Sequence, residues 1–150
     1  MKEILVDANV VISFLTDRHP SQQEQAAALF RGAADREHTV VLHSITVVEV
    51  VHVFLHVYKV DPLDVARAVS SLLEMPGVVS VSDLTWSLVL ERWPQVIPDF
   101  GDAVIAAVAH QGRYEGVATF DGGLRKKLVR QGSASYWSGS SNLPGLRSGS

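Results

Sequence analysis

Five carboxylates could do chemistry if the chain gathered them: Asp7, Glu49, Asp99, Asp102 and Asp121. Taken singly, each has an ordinary use. Asp7 can end a strand in an Asx turn, and Thr46-Val-Val-Glu49 fits a capping box. Asp99 can cap a helix whose dipole then favours Asp102, and Asp121 can cap the basic segment after it. Crowded on one edge, such groups repel and raise one another's pKa unless positive charge lies among them. Hard divalent cations with oxygen ligands supply that charge. Two Mg²⁺ or Mn²⁺ ions would balance four carboxylates, and the resulting site would position a phosphodiester, acidify a bound water and stabilise the attacking and leaving oxygens. The expected cofactor is Mg²⁺ or Mn²⁺, one or two ions.

The elements that must position these acids alternate between short apolar runs and longer helical patterns. Strands are expected at residues 3–6, 39–42, 78–81 and 117–120, with a fifth strand in question at residues 133–136. Helices are expected from residue 9 to 16, from a Ser21–Glu24 capping box to about 36, over 46–58, from Asp61-Pro62 onward, from an Asp83 cap to about 93, over 101–111, and over 124–129. The Val-rich stretch 46–58 is too long for a strand and reads as a buried helix, with Glu49 in its first turn. Strands separated by helices imply βαβ units and a parallel sheet covered on both faces. The expected fold is therefore α/β, a three-layer α/β/α sandwich on a mostly parallel sheet of four or five strands. Asp7 and Asp121 follow strands, while Glu49 and Asp102 begin helices. All would meet at the carboxyl edge of the sheet, where open α/β folds bind ligands.

Length and composition narrow the classes. The chain has 150 residues, 47% of them hydrophobic and 19% charged, which suits one packed domain. It has no cysteine, so disulfide scaffolds, thiolate metal sites and thiol nucleophiles are excluded. Its net charge of −3 does not favour nucleic-acid binding through bulk charge. A nucleic-acid partner would need bound cations or a local basic patch. No signal peptide and no membrane-length apolar run is expected, and a cytoplasmic location follows as an expectation. Residues 1–137 read as the folded domain, and the Ser/Gly-rich residues 138–150 as a flexible linker or expression scar.

At these residues the sequence resembles the PIN-domain superfamily, and within it the VapC-type toxins of prokaryotic toxin–antitoxin pairs. Four segments carry the resemblance: Val6-Asp7-Ala8-Asn9, Ser44 through Glu49 with the Val-rich run after it, Asp99-Phe-Gly-Asp102-Ala-Val-Ile-Ala-Ala107, and Thr119-Phe-Asp121. In order they span nearly all of residues 1–137. The resemblance implies a metal-dependent endoribonuclease that hydrolyses single-stranded RNA by in-line attack of a metal-activated water, leaving 5′-phosphate and 3′-hydroxyl ends. Carried over by position, Asp7, Glu49, Asp102 and Asp121 are the catalytic, metal-binding set, and Asp99 is an additional acid found in some members. Asn9 and Thr119 support the site by hydrogen bonding. The resemblance further implies a cognate antitoxin that inserts a basic residue into the acidic cleft, and a homodimer. Gly122-Gly123 after Asp121 reads as a looser loop than the family pattern.

Other features stand beside these. Arg125, Lys126, Lys127 and Arg130 form the one dense basic cluster, either an RNA-backbone contact or a solvated helix face. Glu49, His52 and His56 recur at i, i+3 and i+7, which reads as a polar lining or a partner surface sooner than a histidine metal site. Trp86 and Trp93 share a helix face and read as core or subunit packing. Two other functions compete: a catalytically inactive PIN-fold RNA-binding or scaffold module, and a phosphatase or phosphotransferase using Asp7 as nucleophile. The complete acidic set opposes the first. Asn at position 9, where an Asp-x-Asp pair would stand, opposes the second.

Overall fold

A computed structural model of the chain describes residues 1–137; the tail read from the sequence at 138–150 lies outside them. The order is β1 (Glu3–Val6), α1 (Ala8–Leu15), α2 (Pro20–Ala34), β2 (Thr39–His43) and α3 (Ser44–His52), which runs on into a π-helical turn (Val53–Val57). Then come α4 (Pro62–Leu73), β3 (Val78–Val81), α5 (Trp86–Arg92), α6 (Phe100–Gly112), β4 (Gly116–Ala118) and α7 (Gly122–Arg130).

The four strands are all parallel, in the order β3-β2-β1-β4. Strand periodicity sends alternate side chains to opposite faces. Ile4, Val6, Val40 and Leu42 enter one core, built with α1, α2, α3 and α4. Leu5, Val41 and Val117 enter the other, built with α5, α6 and α7. This is the expected three-layer α/β/α fold. Helix α6 packs closely because residues 103 to 109 are all buried and four of them are alanine. The connection leaving β1 winds outward through β2 to β3, and the chain then returns to lay β4 on the other side of β1. The gap between the carboxyl ends of β1 and β4 is therefore a topological switch point, the place where open α/β sheets form a crevice.

Several local expectations are corrected. Helix α2 starts at Pro20 after His19 with no side-chain cap bond, so the Ser21–Glu24 box is not formed. Proline at the first position supplies the pre-set φ that starts the helix there. Helix α5 starts at Trp86, and Asp83 does not cap it; the Asp83 carbonyl instead accepts a 2.9 Å hydrogen bond from Nε2 of His43. Helix α3 begins at Ser44, so Glu49 sits in its second turn, not in a first-turn capping box. This segment is a half-exposed helix, with Val48 and Val57 turned outward. Gly122 and Gly123 are the first turn of α7, not a loose loop. The fifth strand reduces to a single parallel bridge between Val117 and Ser135.

Candidate functional site

Asp7 caps α1, its Oδ1 accepting the Ala8 amide at 2.8 Å. Its Oδ2 accepts the Thr119 hydroxyl at 2.9 Å and the Asn9 side-chain amide at 3.2 Å. The Thr119 oxygen in turn accepts from Asn9 Nδ2 and from the Asp121 amide, both at 3.1 Å. Asn9 Oδ1 accepts the Phe120 amide, and Asp7's own amide donates to the Ala118 carbonyl. The carboxyl ends of β1 and β4 are thus laced together, and Asp7, only 5% exposed, is fixed in orientation. Asp121 is held from the other side, capping α7 through the Leu124 amide at 3.1 Å.

Asp99 and Asp102 come from α6. Asp99 is its cap and accepts the Asp102 amide at 2.9 Å, with Asp102 in the first turn. Glu49 reaches over from α3, and Gly101 makes room for it. A Cβ at position 101 would stand 2.6 Å from Glu49 Oε1. Asp7, Asn9, Glu49, Asp99, Asp102 and Asp121 all line one cleft of about 240 Å³ with Ala8, Ile12 and Val53. Thr119 lies fully buried behind it.

Burial first, and crowding after it, show in the proton affinities. Burial lifts Asp7 to about 6; the bonds from Thr119 and Ala8 oppose this, and the charges of Glu49 and Asp121 reinforce it. Burial, then the charges of Asp99, Asp7 and Asp121, push Asp102 up to about 7, opposed by Lys127. Glu49 is raised by burial and by Asp99 and Asp102. Among the described residues, no three His, Asp or Glu side chains are already drawn together as a ligand cluster. The donor set still fits a hard cation. It is all oxygen and short of positive charge, and Mg²⁺ keeps several waters while leaning on one or two carboxylates.

The basic cluster divides. Lys127, half-buried, acts on Asp102; Arg125 is half-buried with its Nε shut from solvent and unpaired; Lys126 and Arg130 are exposed. The His52 and His56 rings lie 4.6 Å apart, both exposed. A larger cavity of about 540 Å³, lined by Leu15, Arg18, Phe54, Tyr58 and neighbours, contains none of the five acids.

Two residues escaped sequence reasoning. Gly101 carried a signal, since glycine inside a helix costs about 1 kcal/mol against alanine and invites a packing reason. His43 carried none. Its buried ring caps α3 by accepting the Ile45 amide at 3.1 Å, a use outside the usual capping residues.

No curated protein matches the chain. Among solved structures, it is similar to VapC20 of Mycobacterium tuberculosis, a sarcin–ricin loop cleaving toxin. The TM-score is 0.62 at 16% identity, over 83% of this chain and 94% of that one. It is also similar to VapBC2 from Rickettsia felis, bound to a DNA fragment from its promoter, with a TM-score of 0.59 at 14% identity, over 89% and 96%. Such likenesses show a shared fold. The sequence profile of the PIN domain matches residues 4–127, a span that takes in every acid of the cleft from Asp7 to Asp121, and the chain belongs to the PIN domain family.

Proposed function

We propose that this protein is a divalent-metal-dependent endoribonuclease that hydrolyses phosphodiesters of single-stranded RNA. The observation that carries this reading is the convergence of five acids on the sheet's switch point, with Asp7 and Asp102 held well above the usual carboxylate range. A site so short of positive charge suits bound cations and a phosphate. Asp7, Asp102, Asp121 and Glu49 would hold the ions, with Asp99 beside them. When bound, Mg²⁺ or Mn²⁺ supplies an acidified water and counter-charge for the phosphodiester.

The chain's own residues do the rest. Asn9 and Thr119 orient Asp7, and Asp99 fixes the first turn that presents Asp102. Gly101 leaves Glu49 its place, and Lys127 adds a cation acting on Asp102. Cleavage leaves 5′-phosphate and 3′-hydroxyl ends.

We further place it as the toxin of a toxin–antitoxin pair, a cytoplasmic homodimer silenced by a partner that puts a basic side chain into the cleft. Similarity of fold to a toxin and to a VapBC complex supports this. Among the described residues no helix is long and apolar enough to cross a membrane.

The test is cleavage of a mixed pool of single-stranded RNAs with Mg²⁺, with Mn²⁺, with EDTA, and with Asp102→Asn. Metal-dependent cutting lost in the variant is expected. A folded protein that binds RNA but never cuts would support the inactive scaffold instead. Cutting that survives both EDTA and the substitution would overturn the assignment of the acids.

A further inference from the structure

Phe100 is the first residue of α6, between Asp99 and Asp102 in the chain, and it is 37% exposed. Trp86, the first residue of α5, is 54% exposed, and the two rings lie 6.3 Å apart and nearly parallel, at 23°. Trp93 supports Phe100 edge-on at 5.1 Å and 80°. Trp93 is itself pinned, its Nε1–H donating to the Pro98 carbonyl at 3.0 Å, and the adjoining Ile97 is fully buried. Two exposed aromatic rings are therefore stacked together, one of them next in sequence to the cleft carboxylate Asp99 and two residues before Asp102.

An acidic cleft repels the RNA backbone wherever cations do not cover it, so the strand gains from a grip that is not ionic beside whatever the basic residues supply. Aromatic faces provide one, because every unpaired base can stack on them whatever its identity. Rings already fixed by their neighbours lose little freedom when a base arrives. Resting on the nuclease reading above, we propose that Trp86 and Phe100 form a stacking platform for an unpaired base of the RNA, and so set the register in which a phosphodiester meets the acids. They are positioning residues; the acids remain the reacting site. The platform discriminates single-stranded from duplex RNA, whose bases are not free to stack on it.

An alternative occupant is another protein surface. Leu90 lies one turn beyond Trp86 on α5 and is also exposed, at 58%. A protein face would use Leu90 together with the rings, whereas a base platform would not.

The experiment uses the full chain in the Asp102→Asn background with Mg²⁺, and a labelled single-stranded oligoribonucleotide of mixed sequence read by anisotropy. Phe100→Ala and Trp86→Ala are each expected to weaken binding roughly tenfold, with the salt slope unchanged because no phosphate contact is lost. Trp86→Phe restores most of the affinity, and Leu90→Ala has no effect. In the otherwise wild-type protein the same alanine variants raise KM and blur the cut positions. Trp86, being half-exposed, gives a variant whose folding is secure even if Phe100→Ala disturbs α6. Unchanged affinity in both alanine variants overturns the proposal. So does a loss shared by Leu90→Ala and accompanied by a changed sedimentation coefficient, which would mark a protein-docking face. If the wild type cuts the pool while these variants behave like it, only the platform fails; if the wild type neither binds nor cuts, the nuclease reading fails first.

Discussion

The Thr119 hydroxyl donates a 2.9 Å hydrogen bond to Oδ2 of Asp7, joining the ends of two adjacent strands across 112 residues of chain. Thr119→Val removes that donor, orphans the Asp121 amide, and takes away one of the two acceptors of Asn9 Nδ2, which keeps its bond to Asp7. We expect a stability loss of about 1–3 kcal/mol, read as a lower Tm. We also expect the acid limb of the cleavage profile to move to higher pH, because Asp7, already lifted to about 6, loses the bond that restrains it. Thr119→Ser should restore both.

The raised acids make a prediction for the metal-free protein. A carboxyl whose pKa is higher folded than unfolded holds its proton more tightly in the fold. Its stabilising effect is complete below the unfolded value near 3.8 and is lost as pH rises through the folded value, about 6 for Asp7 and about 7 for Asp102. In EDTA, Tm should therefore fall between roughly pH 4 and pH 8 by several degrees, as far as Asp7 and Asp102 set the trend. Mg²⁺ should restore it at the alkaline end by binding the folded state. Asp102→Asn should flatten the fall, raise Tm at pH 8, and blunt the response to Mg²⁺.

Gly101→Ala separates stability from activity. Alanine favours helix by about 1 kcal/mol over glycine, yet the new methyl would stand 2.6 Å from Glu49 Oε1. The carboxylate tip is the part able to move. The variant should keep or gain Tm while losing cleavage by an order of magnitude or more, as expected when an active group is displaced. Wild-type cleavage in Gly101→Ala would show that Glu49's position is not critical.

The basic cluster should act unequally. Lys127→Gln should lift the pKa of Asp102 and flatten the salt dependence of RNA binding by about one unit of slope, while Arg130→Gln, out at the exposed end of α7, should change the slope less. Equal effects would assign the cluster to diffuse attraction.

Much of this arrangement was legible in the chain. The alternation of apolar runs with helical patterns pointed to the parallel three-layer fold, and the acids after strands or at helix starts converge because that topology leaves them nowhere else. Asp99 and Asp121 do cap helices, and they also line the cleft, so the ordinary use does not exclude the proposed chemical one. Ser21 and Asp83 had cap-like sequence but no cap role, because where the first turn closes depends on the path the chain takes into it. His43 became a cap only through tertiary placement: its Nδ1 meets Ile45 while its Nε2 reaches Asp83, 40 residues on. A contact that far along the chain leaves no local trace. The same holds for Glu49 and Gly101, whose fit exists only once α3 and α6 lie side by side.

The strand order has a consequence for synthesis. β1 is made first but keeps one bare edge until β4, the last strand among the described residues, pairs with it through Leu5 and Val117. Asp121 follows β4 directly, so the cleft cannot exist on a nascent chain whose residues beyond Asp102 are still inside the ribosome. At 5–20 residues per second, chain growth imposes a delay of several seconds or more between the emergence of Asp7 and the emergence of its partners. A truncated product ending before β4 would carry Asp7, Glu49 and Asp102 and still be inert. On the proposed nuclease reading, cleavage would stay latent during translation until β4 has emerged and paired.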